Sequence, residues 1–215
     1  MSASRLGTLV LIGGTLLGSR ISGEPRRESG AQPEPATDAR ALAARLSPGA
    51  HHRHLDALLG RWESVVTVWP QPGAEANGSG GTSEIEWILN GHWLRLDYRA
   101  SDVGQGGVQG LGLIGYDNVR GEHVFNWLDN VSCSALQSSG PCTDGGRTTA
   151  LAGTHGDPAS GERNHPFRWV IRVGEPGNWT LELYDAAPSG SEFRKIRIVN
   201  SRRKEPAAAA EQAGL

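Results

Sequence analysis

Between residues 61 and 200, apolar and polar side chains alternate in short runs, and clusters of Gly, Pro, Asn and Asp separate the runs. Alternation with a period of two is the pattern of half-buried strands. Residues 61–69 put Trp62, Ser64, Val66 and Val68 on one side, and residues 92–99 put Leu94, Leu96 and Tyr98 opposite Arg95, Asp97 and Arg99. Asn90-Gly91, between the runs 83–89 and 92–99, predicts a tight hairpin, because both central residues of that turn take positive φ. Asp117–Gly121 predicts a second one between 110–116 and 122–129, and the Gly-, Pro-, Asn- and Ser-rich stretch from Pro70 to Gly81 reads as a long loop. Further runs at 132–138, 147–153, 167–173, 179–186 and 193–200 follow with no helical pattern between them. The predicted fold class is all-β: an antiparallel up-and-down barrel of about eight to ten strands, since closure removes the exposed sheet edges.

One short helix precedes the strands. Leu55, Leu58 and Leu59 share a face at helical spacing, and Gly60 ends the helix before the period changes to two at Trp62. A helix over 51–59 is therefore expected to cap one mouth of the barrel.

Composition divides the chain of 215 residues into parts. All seven Trp, three Tyr and three Phe lie between Trp62 and Phe193, which leaves the flanks without aromatic side chains to bury. Residues 24–50 and 202–215 are expected to be a disordered linker and tail, and 51–201 one barrel domain. The formal net charge of −2 gives no electrostatic reason to expect nucleic acid as a partner. Residues 6–18 form an apolar stretch behind Arg5 and ahead of Arg20, too short for an ordinary membrane span. Residues 1–23 read as a signal peptide, with an uncleaved signal anchor as the rival and the sole route to a membrane. The expected location is exported, periplasmic or secreted. In an oxidising compartment, Cys133 and Cys142, which flank a Ser-Ser-Gly-Pro turn signal, are expected to form a local disulfide.

Several ordered segments carry a resemblance to a known group. His52, Leu55, Leu58, Gly60 and Trp62, then Gly110–Asp117, then Trp127 and Asp129, then Asp157–Gly161, and last Glu192–Ile196 resemble the bacterial domain-of-unknown-function family 1579. That family is placed among the calycin-like barrels, with the lipocalins and fatty-acid-binding proteins. The resemblance implies a barrel and assigns no activity. The chain departs from it at His123, where relatives carry an aromatic residue, and in the loop with both cysteines.

Candidate site residues follow from the barrel. Gly60 and Trp62 read as structural, with Trp62 plugging one end of the core. His123, Trp127 and Asp129 share a face with Phe125 and form a candidate lumen wall with an aromatic platform and two ionisable groups. Arg95 is expected to point inward beside Trp93, matching the aromatic-plus-cation lining of fatty-acid-binding barrels; the opposite face offers Tyr98 instead. His51-His52-Arg53-His54 lacks the second cluster that a tetrahedral metal site needs, and His92, His155 and His165 stand singly near turns. No metal, cofactor or catalytic set is expected, and no nucleophile elbow, phosphate loop or dinucleotide fingerprint is present.

The leading functional reading is an exported barrel that holds a small apolar or amphipathic molecule in its lumen. The alternatives are a solid-core structural or interaction barrel, and a hydrolase or isomerase using the His123/Asp129 face.

Overall fold

The computed structural model describes residues 35–101 and 107–204. Two short helices come first, α1 (Pro35–Leu46) and α2 (Ala50–Arg53), the second running on into a 3-10 turn over His54–Leu58. Eleven strands follow: β1 (Gly60–Val68), β2 (Asn77–Ile88), β3 (Trp93–Ala100), β4 (Gln109–Asp117), β5 (Glu122–Asp129), β6 (Leu136–Gly140), β7 (Cys142–Thr143), β8 (Thr148–His155), β9 (His165–Val173), β10 (Asn178–Ala186) and β11 (Glu192–Arg202). Sequential neighbours pair antiparallel from β1 to β6 and from β8 to β11. β1 pairs with β11, and β6 pairs with β8 past the two-residue β7, so ten strands close into an antiparallel barrel. The sheet therefore keeps no long open edge.

Asn90 and Gly91 both have positive φ, 56° and 80°, as expected, but the connection from β2 to β3 is longer than a two-residue turn: Leu89 has positive φ as well (49°), and the last strand pair is Ile88 with Trp93. Side-chain direction also follows the alternation: Leu94, Leu96 and Tyr98 are buried inside, with Arg95 and Arg99 exposed outside. Trp62, Ile85, Leu94, Ile114, Phe125 and Leu151 fill the core with 2% exposure or less. Leu55 and Leu58 of the cap are buried in the same cluster, and the Trp62 indole N–H donates to the Leu58 carbonyl at 2.9 Å. Gly60, at φ 116°, makes the entry into β1; a Cβ there would stand 2.5 Å from the Arg202 guanidinium, which lies 4.5 Å over the Trp62 ring.

Three expectations are corrected. The stretch 70–81 is loop only as far as Ala76. Asn77–Gly81 continues β2, paired with Val68–Ser64 of β1, because its small residues leave room for neighbouring side chains. A Cβ on Gly81 would meet the Tyr98 ring at 2.6 Å. The linker is helical in its second half. Pro at the start, Asp38 in the first turn, Arg45 in the last and an Ala- and Leu-rich body favour a helix without burial. The C-terminal end of α1 is tied to the barrel's loops, since Asn118 Nδ2 donates to the carbonyls of Arg45 (3.1 Å) and Ser47 (2.8 Å). The signal-peptide reading, the first part of the linker and the tail past Lys204 lie outside the described residues.

The third correction concerns the cysteines, which are free thiols. The expected turn at Ser138–Pro141 is mostly strand: β6 runs extended between the two, over Leu136–Gly140. Five residues at roughly 3.4 Å each hold Cys133 and Cys142 at opposite ends of that strand, beyond the ~7 Å Cα separation that a disulfide allows. Cys142 instead accepts a hydrogen bond from the Thr149 hydroxyl at 3.2 Å.

Candidate functional site

The inner wall of β5 reads His123, Phe125, Trp127, Asp129, and these four side chains span the barrel from one end to the other. His123 is at the capped end. Its ring is buried and lies against Tyr116 (4.9 Å between centroids) and His54 (6.4 Å), with Nε2 3.3 Å from the His51 carbonyl. Desolvation holds His123 as the neutral imidazole, lowering its pKa to about 4; the neighbouring His54, His51 and His52 push the same way, while the His51 carbonyl opposes them. His51 stacks on Tyr116 at 4.5 Å, and His52, buried beneath the cap, also has its pKa lowered, first by desolvation. This end is filled with side chains.

The opposite end is hollow. A cavity of about 500 Å³ occupies the barrel mouth. Apolar groups line it, among them Val66, Val108, Leu181 and Ile198, together with the rings of Tyr98, Trp127 and Trp169. Small residues border this space on the inner face, Ser79 on β2 and Ala100 on β3, while Gly81 on β2 and Gly110 on β4 let the Tyr98 and Trp127 rings lie flat against the wall. Trp127 lies across β4 where Gly110 has no side chain, and a Cβ there would run into the indole.

Polar groups at this end are few. Asp129 accepts the Trp127 indole N–H at 2.9 Å through one oxygen and the Val131 and Ser132 amides (3.0 and 2.8 Å) through the other. Its carboxylate thus orients Trp127 and caps the strand end. The Trp169 indole N–H is buried without a partner. Burial raises the Tyr98 pKa, so its phenol remains a neutral donor. Among the described residues, no Lys or Arg lines the cavity.

Of the five candidate ligand contacts, Trp127 and Asp129 border this cavity. His123 is on the same inner face but at the other end, six residues up the strand, about 20 Å at the usual strand rise. The expected His123/Asp129 pair therefore does not converge. Trp93 and Arg95 are on the outer wall, which corrects the inward reading of Arg95. Arg95 is half-exposed there, bonded to Asp97 at 2.8 Å and Glu86 at 3.0 Å, because β3 turns its apolar face inward and takes Tyr98 with it. The sequence reading also missed Val66, Leu181 and Ile198 as lining, since an aliphatic residue facing a cavity has the same pattern as one facing a packed core. It further treated His155 and His165 as solitary, although their spacing across the Asp157–Gly161 turn makes them hairpin partners.

Comparison with known proteins supports the fold and leaves the activity open. The family described as protein of unknown function (DUF1579) matches over residues 47–202. Among solved structures, the crystal structure of Rv2717c from M. tuberculosis is similar, with a TM-score of 0.54 and 11% identity, covering 74% of this chain and 100% of that one. No curated protein matches the chain.

Proposed function

The chain belongs to the DUF1579 family of proteins of unknown function, and on that footing we propose that it is a small-molecule-binding barrel whose guest is apolar and uncharged. The observation that carries this reading is the 500 Å³ apolar cavity at the mouth. Its volume falls in the range of sites for small organic ligands, roughly 300–1,000 Å³. With Arg95 outside, no cation among the described lining residues pairs with a carboxylate guest, and Asp129 at the mouth repels one. The Tyr98 hydroxyl supplies a donor for a guest that carries a carbonyl or hydroxyl oxygen. Export, read from residues 6–18, is part of the same proposal and is tested by fractionating cells that express the full chain.

Titration of the intrinsic Trp fluorescence tests the ligand class. A long-chain alcohol or retinol should quench or shift the emission with saturation, and the matching fatty acid should bind more weakly at neutral pH. Tighter binding of the acid, or no saturable response across a broad apolar panel, would reject the proposal. The enzyme reading of the His123/Asp129 face receives no support from a pair at opposite ends of one strand.

A further inference from the structure

At the mouth, outside the lumen cavity, three strands bring together side chains that the sequence scatters. The β8–β9 hairpin places His155 directly across from His165, and β10, on the other side of β9, adds Asp185. The potential ligand atoms of the three lie within 4.8 Å of one another. We propose that His155, His165 and Asp185 bind a divalent transition-metal ion of the zinc type.

Each donor is already held from behind. His165 Nδ1 is 2.8 Å from the Glu162 carboxylate, and His155 Nδ1 is 3.1 Å from the Gly156 carbonyl. Metal-bound imidazoles characteristically give their second N–H to such carboxylate or carbonyl partners, which leaves Nε2 as the ligand atom. The second oxygen of Asp185 is paired with Lys195, so Asp185 has one oxygen to offer. That oxygen faces His165 Nε2 at 2.7 Å. With the Nδ1 proton directed at Glu162, the Nε2 lone pair and the carboxylate oxygen meet as two acceptors, and a positive centre is required between them. A proton alone satisfies His165 and Asp185. His155 adds a second imidazole to the cluster, packed edge-on against both His165 and Phe167 with centroids 5.5 Å apart in each case.

The turn between the histidines is built to keep this arrangement. The Asp157 carboxylate accepts the Ala159 and Ser160 amides (3.1 and 3.0 Å), and the Asp157 amide donates to the Glu162 carbonyl at 2.8 Å, which holds Glu162 beside His165. Two imidazoles and one carboxylate select a zinc-type ion over calcium or magnesium, which prefer all-oxygen sets. Zinc at its ordinary bond lengths sets tetrahedral donors roughly 3.3 Å apart, so a small inward turn of the rings completes the site. A fourth position faces a cleft of about 620 Å³ that His165 and Asp185 help to line, with room for water or a small substrate atom. This cleft and the lumen cavity have no lining residue in common, so the metal proposal does not depend on the apolar guest.

The test is Zn²⁺ titration of untagged, chelator-treated full-length protein against a chromogenic chelator, with Co²⁺ absorption as a second readout. The expected result is one equivalent bound tightly, with Co²⁺ bands of a four-coordinate ion. His155→Ala and His165→Ala should each lower the affinity at least tenfold while keeping the far-ultraviolet circular dichroism of the barrel. Glu162→Gln, an exposed change that leaves the donors in place, should lower it by about tenfold. The His51→Ala/His54→Ala variant, which removes two of the cap's three histidines, should bind as the wild type does. Absence of stoichiometric binding, wild-type affinity in His155→Ala, or loss of binding in the cap variant would each overturn the proposal.

Discussion

The same ten strands build two unlike ends. At the capped end, Trp62 is 1% exposed, donates its indole N–H to Leu58 and lies under the Arg202 guanidinium. At the mouth, Trp127 is equally aromatic and equally anchored, through Asp129, yet it borders a cavity of about 500 Å³. The difference lies in what faces each ring. Ile85, Leu94, Ile114 and the cap's leucines fill the closed end, while at the open end Ser79 and Ala100 border the cavity and Gly81 and Gly110 give their space to the Tyr98 and Trp127 rings. The open end is shaped by small side chains as much as by large ones, and the dense packing lies at the capped end.

That contrast is broken first by truncating one inward-facing side chain at each end. Trp62→Ala should cost about 3–5 kcal/mol, because the surrounding core cannot collapse into the void. Ile198→Ala, at a wall that already faces empty space, should cost markedly less, about 1–2 kcal/mol. Urea denaturation of both variants checks the ordering, and equal losses would refute the solid-versus-hollow division.

Acid distinguishes the ends next. Folded His123 takes a proton only near pH 4, whereas in the unfolded chain it does so near 6.5, so between those values the unfolded state holds more protons. Stability therefore declines as pH falls from about 6.5 to 4, by on the order of 3 kcal/mol from this residue. His52 acts in the same direction. His123→Phe should flatten the profile of urea midpoint against pH, and an unchanged slope in that variant would contradict the assignment.

A smaller effect separates packing from binding at the mouth. Gly110→Ala puts a methyl group into the Trp127 indole and should cost about 1–3 kcal/mol as the ring is displaced. The displaced ring should also occupy cavity space and weaken retinol binding, read from the fluorescence titration. The smallest expected effect belongs to Arg95→Ala. Its two outer-wall ion pairs are half-exposed, and their loss should cost under ~1 kcal/mol and leave ligand affinity unchanged.

The barrel was legible because period-two alternation and turn residues are local signals: Asn90-Gly91 and the β3 alternation each place one feature of the fold. The cavity was not, for an instructive reason. Asn77–Gly81 has the composition of a loop, and its glycines are strand residues whose purpose is to leave room for Tyr98, a ring brought alongside by β3. Composition cannot tell a glycine that turns the chain from one that admits a neighbour. Arg95 was misplaced on an analogy, although the charges at Arg95, Asp97 and Arg99 already marked that face as the wet one. The Cys133–Cys142 pairing failed because Ser-Ser-Gly-Pro, a turn by its residues, is spent mostly on strand β6.

The central claim is that one end of the barrel takes a guest and the other does not, and the seven indole N–H resonances report on both ends at once. Two-dimensional ¹H–¹⁵N spectra recorded while retinol or a long-chain alcohol is added should move the Trp127 and Trp169 signals and leave those of Trp62 and Trp179 in place. Movement of Trp62 and Trp179 with Trp127 and Trp169 unchanged, or no movement of any of the four, would contradict the account.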